Sequence, residues 1–380
     1  MRIGCLQFAA QVGQVDHNID LADSIRQCAV NPRETPTTKM RIGCLQFAAQ
    51  VGQVDHNIDL ADSIIAKAAP HSLDLLVLPE LAFTGYNFKS LHAIAPFLEP
   101  TASGTSTVWA RDTAHKLNCT VVVGYPETVD VSAKWPTSPE YYNAAVAVSP
   151  SGATLANYRK TFLYYTDETW ALEGPDSFFH GEFEGLGDVV MGICMDLNPY
   201  KFEAAWTDWE FAYHILHVEA RLVIVSMAWS TREEEATYVL DPEEPDMATL
   251  AYWVARLEPL VRREQEGEII VVLANRTGVE GDTVYVGTST VLGIEGGEVR
   301  MYGVLGRGVE ELLVVDTEKG PLAKLVNEDS PAAEPTEYET SRRGESVENP
   351  SSSGLDEREG GGMSSSAGTS VSSEKSASPH

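Results

Sequence analysis

The chain has 380 residues, 43% of them hydrophobic, so it can bury a large core as one domain or two. Its formal net charge of −29 argues against nucleic acid or an anionic membrane as the main partner. The five cysteines are odd in number and irregularly spaced, which predicts reduced thiols rather than a disulfide framework or a zinc cage. No membrane-spanning apolar run and no signal peptide pattern is present. We therefore expect a cytoplasmic protein, with a nuclear or mitochondrial pool left open.

The first 25 residues recur without a change: Met1–Ile25 is identical to Met40–Ile64. Structural repeats normally diverge, because each copy meets a different environment. Perfect identity therefore indicates a very recent duplication or a misread exon junction, and the second explanation is favoured. Only the second copy runs on into a helix and the next strand. We expect residues 1–39 to be redundant and residues 40–326 to form the working domain.

From residue 40 the pattern alternates between strands and helices, as in an α/β domain. Hydrophobic periodicity predicts strands over residues 42–48, 73–78, 120–124, 143–149, 153–158, 189–193, 221–228, 268–274, 284–294 and 299–304. Helical spacing predicts helices over residues 57–69, 106–117, 202–218 and 247–264. Residues 327–380 are rich in Ser, Gly and Glu and nearly devoid of apolar side chains, so we expect a disordered tail.

Three residues able to carry out chemistry lie at the ends of predicted strands. Glu80 follows a buried apolar run, Lys160 follows the strand predicted over residues 153–158, and Cys194 ends a short apolar strand. The segment from Met195 to Pro199 is typical of a strand-to-helix turn that presents a nucleophile beside free backbone N–H groups. Taken singly, each residue has a commoner structural explanation. A cysteine at such a position is usually part of the core, a glutamate is usually a cap, and a lysine is usually solvated.

If the three strand ends meet, the side chains have roles in a cysteine hydrolase that needs no histidine. A thiol becomes a good nucleophile when a base or a cation lies beside it. Glu80 would take the proton of the thiol and later give it to the leaving ammonia. Lys160 and the backbone N–H of Met195 would stabilise the oxyanion, and Cys194 would carry the acyl group as a thioester.

In this order the three segments resemble the nitrilase (carbon–nitrogen hydrolase) superfamily. The matching segments are residues 78–86, 158–163 and 192–197, with residues 275–278 and 287–289 further along. The resemblance implies an α/β fold, a four-layer α-β-β-α sandwich, with a monomer and a homodimer both left open. It also implies hydrolysis of amides or nitriles without a metal or a cofactor. A second glutamate often supports the lysine in this superfamily; Glu168 is the best match and Glu173 the rival.

The segments after Lys160 and Cys194 look most like one branch of the superfamily. That branch deamidates N-terminal Asn or Gln of proteins or peptides to Asp or Glu, releases ammonia and feeds the N-degron route. Its site must hold an α-ammonium, for which Asp196 is a candidate, although Asp196 could equally hold the turn. Trp229 could pack on the substrate or on the core. Acidic residues between positions 233 and 246 could line the rim of the cleft, or form a solvated loop.

Two alternatives stay open at this point. An ω-amidase-like enzyme acting on small free amides would share the three residues, and a cationic pocket for the free carboxylate of its substrate would favour it. An inactive scaffold that uses the serine-rich tail for interactions is a second alternative. The intact set of Glu80, Lys160 and Cys194 argues against the scaffold.

Overall fold

The computed structural model describes residues 39–326, apart from residues 135, 232–237, 239 and 264–266. Residues 1–38, the acidic run 233–235 and the serine-rich tail lie outside the described residues, and what we predict for them stays a prediction. Within the described part of the chain, no helix is long and apolar enough to cross a membrane.

Strands and helices alternate along the described chain. The strands are β1 (Arg41–Gln46), β2 (Leu75–Val77), β3 (Glu99–Pro100), β4 (Thr120–Val129), β5 (Glu140–Val148), β6 (Thr154–Arg159), β7 (Phe179–Phe183), β8 (Gly187–Ile193), β9 (Leu222–Met227), β10 (Ser230–Thr231), β11 (Ile269–Asn275), β12 (Thr277–Glu280), β13 (Thr283–Val286), β14 (Thr290–Glu295), β15 (Glu298–Val304), β16 (Glu311–Asp316) and β17 (Ala323–Val326). The α-helices are α1 (Val54–Ile65), α2 (Leu91–Ile94), α3 (Thr105–Leu117), α4 (Glu210–His217), α5 (Met247–Arg256) and α6 (Glu258–Val261).

Two seven-stranded sheets form the centre of the domain. The first has the order β16-β1-β2-β4-β5-β6, with β3 beside β4, and the second has the order β17-β15-β14-β11-β9-β8-β7. In the first sheet β1, β2 and β4 are parallel, and in the second β8, β9 and β11 are parallel. The carboxyl ends of parallel strands collect at one edge of a sheet, where the following loops can carry a site.

Alternate residues of the first sheet contact different layers. In β2, Leu75 and Val77 belong to the core shared with the second sheet, whereas Leu76 packs in the cluster that holds Ala61 of α1 and Ala110 of α3. Both faces of the strand are therefore buried, which explains its continuous apolar run.

The second sheet is covered on its other side by α4 and α5. Phe211 of α4 and Trp253 of α5 are buried in the same cluster as β8, β9 and β11. The order of layers is helices, sheet, sheet, helices. The predicted four-layer α-β-β-α sandwich is confirmed.

Two predicted elements are wrong in their extent. The helix expected over residues 202–218 begins only at Glu210, because Phe202 and Trp209 have positive φ angles of 56° and 37°, and residues 206–208 form a short 3₁₀ turn. The strand expected over residues 284–294 is interrupted at Thr288, whose φ is 58°, and divides into β13 and β14. Positive φ in non-glycine residues depends on tertiary contacts, which strand and helix periodicity does not report.

Candidate active site

The loop after β2 is joined by hydrogen bonds to the end of β9 in the second sheet. The backbone N–H of Glu80 donates to the carbonyl of Met227 over 3.3 Å. The hydroxyl of Ser226 donates to the carbonyl of Leu78 over 2.9 Å. The end of the glutamate strand is thus tied to the sheet that carries the cysteine.

Lys160 links two buried carboxylates. Its Nζ lies 2.6 Å from Glu80 Oε1 and 2.6 Å from Asp167 Oδ2, and all three side chains are fully buried. An ammonium carries three N–H donors, so one remains after these two contacts. Glu80 Oε2 is buried and has no hydrogen-bond partner among the described residues. One carboxylate oxygen and one ammonium hydrogen are therefore left for a reactant.

The carboxylate that supports Lys160 is not the predicted one. Asp167 makes the contact with the ammonium, whereas Glu168 is exposed. The rival candidate Glu173 is also exposed and accepts a hydrogen bond from the hydroxyl of Tyr200 over 2.8 Å. A 3₁₀ turn over Asp167–Thr169 sets which side chain points inward, and spacing along the chain does not reveal the phase of that turn.

Cys194 follows β8 directly and opens the 3₁₀ turn Cys194–Leu197. Its φ is 41°, a left-handed conformation that is rare for a cysteine, and the residue is 9% exposed. Met195 is the second residue of this turn, and the first N–H groups of a helix have no acceptor within it. The strained turn presents the thiol next to N–H groups that can receive an oxyanion.

Burial and the neighbouring Glu80 carboxylate favour the protonated form of the Cys194 thiol. Burial and the Glu80 carboxylate raise the pKa of the Cys194 thiol well above its usual value, although Lys160 and the backbone N–H of Ala228 lower it. Burial also raises the pKa of Glu80, which Lys160 partly offsets. Burial lowers the pKa of Lys160, but Asp167 and Glu80 outweigh it and the net shift is upward. Lys160 thus stays an ammonium, and the thiol needs a base before it can attack.

The carboxylate of Asp196 accepts three hydrogen bonds from groups of the protein itself. Its Oδ2 accepts hydrogen bonds from the Tyr158 hydroxyl over 2.6 Å and from the Ile193 N–H over 2.7 Å. Its Oδ1 accepts from the Phe162 N–H over 2.8 Å. Burial raises the pKa of Asp196 to about 6. The side chain joins the cysteine turn to the lysine segment, so the geometry fits the turn-holding alternative and not an α-ammonium site.

Trp229 packs on aromatic side chains of α5. Its ring centroid lies 5.5 Å from that of Tyr252 and 5.8 Å from that of Trp253. Its backbone N–H donates to Asn275 Oδ1 over 2.8 Å. The tryptophan is half-buried, and its role in substrate binding stays a prediction.

The acidic segment after β10 divides into different environments. Asp241 is exposed. Asp246 is buried and caps α5, since its carboxylate accepts a hydrogen bond from the Thr249 N–H over 2.8 Å. Asp246 is therefore a structural cap. For the other acidic residues of this segment, a position at the rim of the cleft stays a prediction.

Three residues of the site were missed by sequence reasoning: Asp167, Asn143 and Gly124. Asn143 Nδ2 donates to Glu80 Oε1 over 2.7 Å and to Asp167 Oδ1 over 3.0 Å. Gly124 packs against the loop that carries Glu80, and a β-carbon added at Gly124 would come within 2.8 Å of Glu80 Cα. No periodic pattern marks these positions: the partners of Asn143 and Gly124 are distant in the sequence, and the turn that directs Asp167 inward has no sequence signal.

Among the described residues, no group of three or more His, Cys, Asp or Glu side chains is arranged to hold a metal ion. The cation that the structure places in the site is the Lys160 ammonium. A four-layer sandwich with a buried Glu–Lys pair beside a cysteine at a strand end defines a carbon–nitrogen hydrolase. Residues 41–196 match the carbon–nitrogen hydrolase family. The chain belongs to this family and is an amidohydrolase.

Comparisons with individual proteins agree with the predicted resemblance. The chain is 34% identical over 332 residues to the protein N-terminal amidase of Schizosaccharomyces pombe, covering 84% of this chain and 100% of that protein. Its structure is similar to that of an N-terminal amidase with an Asn-Glu-Ala peptide, with a TM-score of 0.63 and 23% identity over 73% of this chain and 97% of the other. An N-terminal amidase with a Gln-Gly peptide gives a TM-score of 0.64, with the same identity and coverage. The predicted resemblance is confirmed.

Proposed function

We propose that this chain hydrolyses the side-chain amide of an N-terminal Asn or Gln in a protein or peptide, giving Asp or Glu and ammonia. The observation that carries the proposal is the similarity to the S. pombe protein N-terminal amidase, which extends over that protein's whole length. The peptides held in the similar structures begin with Asn or Gln, which is the same chemical class of substrate.

The first half of the proposed reaction forms a thioester. Glu80 takes the proton of Cys194, and the sulfur attacks the carbon of the side-chain amide. The resulting oxyanion lies between the Lys160 ammonium and the Met195 N–H. Glu80 then gives its proton to the amide nitrogen, the C–N bond breaks, and ammonia leaves.

The second half returns the enzyme to its resting state. A water molecule gives a proton to Glu80 and attacks the thioester carbon. The same two donors, Lys160 and the Met195 N–H, stabilise the second oxyanion. The C–S bond breaks, Cys194 recovers its proton from Glu80, and the product leaves as a carboxylic acid that gives its proton to the solvent. The raised pKa of Glu80, caused chiefly by burial, suits a group that gains and loses a proton in each half.

In the cell, the products would be polypeptides that begin with Asp or Glu. We place the reaction upstream of an N-degron route in the cytoplasm, in keeping with the acidic composition and the reduced cysteines. The partners would be polypeptide N-termini, and the site would need an exit for the rest of the chain.

The test is release of ammonia from short peptides that begin with Asn, Gln or N-acetylated Asn. We expect turnover of the first two and little of the third, because acetylation removes the α-ammonium. Cys194→Ala is the matched control and should abolish turnover. Equal rates on the acetylated peptide would reject the N-terminal specificity while leaving the amidase chemistry intact. Turnover of small free amides alone would favour the ω-amidase alternative.

A further inference from the structure

Asn143 holds the acidic side chains of the site together. It lies on β5, is fully buried, and its Nδ2 donates one hydrogen to Glu80 Oε1 and the other to Asp167 Oδ1. Both partners are carboxylate oxygens, which accept hydrogen bonds, so the orientation of the amide is set by its contacts. The backbone carbonyl of Asn143 also accepts a hydrogen bond from the backbone N–H of Lys160 over 2.8 Å.

These contacts determine which oxygen of Glu80 is left for the reaction. Oε1 accepts from both Lys160 Nζ and Asn143 Nδ2, whereas Oε2 has no partner among the described residues. Without the amide, the carboxylate would keep one anchor and could rotate about its last side-chain bond. With two anchors on the same oxygen, the other oxygen is presented as the proton acceptor.

The side-chain amide of Asn143 also affects the electrostatics of the buried cluster. The cluster holds two carboxylates and one ammonium, all fully buried, and a neutral donor can bridge the carboxylates without adding charge. The hydrogen bond from Asn143 lowers the pKa of Glu80, in opposition to the larger upward effect of burial. The charged or titratable groups that face Glu80 are Lys160, Asp167, Cys194, Tyr86 and Tyr285.

We propose that Asn143 is a positioning residue that orients and tunes Glu80 as the proton acceptor of the reaction. This inference rests on the role of Glu80 in the proposed function. Asn143 acts through Glu80 and Asp167 and needs no contact with the substrate.

The test compares Asn143→Ala with Asn157→Ala. Asn157 is the matched control because it lies on the adjacent strand β6 and its Nδ2 also donates to a carboxylate, Glu127 Oε2, over 3.2 Å. In Asn143→Ala we expect kcat to fall about tenfold to hundredfold, with KM within about threefold, which matches the loss of a hydrogen bond to a charged group. The acidic limb of the pH profile of kcat/KM should move upward by about one pH unit. Asn157→Ala should keep the profile of the unmodified chain.

A second measurement needs no amide substrate. The rate of alkylation of Cys194 by iodoacetamide, followed by mass spectrometry against pH, should show the same upward shift in Asn143→Ala. Peptide mapping separates the peptide that carries Cys194 from those of the other four cysteines, so the signal can be assigned to Cys194. If Asn143→Ala does not fold, Asn143→Asp preserves the size of the side chain. It should shift the profile in the same direction, because it places a third carboxyl group beside Glu80 and Asp167.

The outcomes separate this inference from the proposed function. An unshifted pH profile in Asn143→Ala, by turnover and by alkylation, would overturn the positioning role even if kcat fell. An equal shift in Asn157→Ala would overturn it as well. Retention of deamidation by Cys194→Ala would instead reject the proposed function.

Discussion

The replacement Asp167→Asn tests which carboxylate supports the catalytic lysine. The Asp167 carboxylate lies 2.6 Å from Lys160 Nζ, and both side chains are fully buried. With an effective dielectric constant of about 20, opposite charges at that distance attract by roughly 6 kcal/mol. Desolvation cancels part of this attraction, and removing one partner of a buried pair costs about 3–5 kcal/mol. We therefore expect Asp167→Asn to lower the free energy of unfolding by about 3–5 kcal/mol.

Activity should fall as well, because an asparagine presents an N–H₂ group where an oxygen accepted a hydrogen bond. Asp167 also accepts from the Tyr164 N–H over 3.0 Å, so the lysine segment loses an anchor. A displacement of about 1 Å at a reacting group can cost about a hundredfold in rate. We therefore expect kcat/KM for an N-terminal Asn peptide to fall by about a hundredfold.

Glu168→Gln is the matched control, since its side chain is exposed and one residue away. It should keep stability within about 0.5 kcal/mol and leave kcat/KM nearly unchanged. The assays are unfolding in urea and ammonia release, the latter at a temperature where circular dichroism shows both variants folded. Loss of activity in Glu168→Gln, with Asp167→Asn unaffected, would refute the assignment.

Three further changes test other parts of the structure. Gly124→Ala places a methyl group against the loop that carries Glu80, 2.8 Å from the Cα of Glu80. Overpacking of this kind costs about 1–3 kcal/mol, so we expect ammonia release to slow at least about tenfold. An unchanged rate would show that the loop can move. Because burial raises the pKa of folded Asp196 from 3.8 to about 6, the chain should lose stability as pH rises from about 4 to 6. Asp196→Asn should make that slope smaller in urea unfolding, and an unchanged slope would assign it to the other carboxyl groups whose pKa burial raises, such as Glu99 and Glu268. A chain that begins at Met40 should be as active and at least as soluble as the full chain; loss of folding would give residues 1–39 a structural role.

The prediction for the Met40 chain is supported by the sheet topology. The second copy of the repeated segment supplies β1, which lies between β16 and β2 in the first sheet. Both edges of β1 are therefore paired within the described chain. The sheet has one place for this strand, and the copy from Met40 fills it.

The strand ends could be predicted because their signals are local. Glu80, Lys160 and Cys194 each follow a run of strand residues, and apolar runs bounded by polar residues can be identified without knowledge of the fold. The α/β class follows from the same kind of signal. The predictions that failed were the start of the helix expected over residues 202–218 and the continuity of the strand expected over residues 284–294, where positive φ angles depend on contacts outside the segment.

The amino-acid sequence by itself determined the alternation of strands and helices, the family resemblance and the three residues at the strand ends. The tertiary structure decided which groups hold those residues: Asp167 instead of Glu168 on the ammonium, Asn143 across both carboxylates, and Asp196 in the turn. The physical reason is that the period of apolar side chains, which predicts strands and helices, is a property of residues close together in the chain. Hydrogen-bond partners depend on the direction of each side chain and on strands far apart in sequence, as in the pair Asn143–Glu80, 63 residues apart.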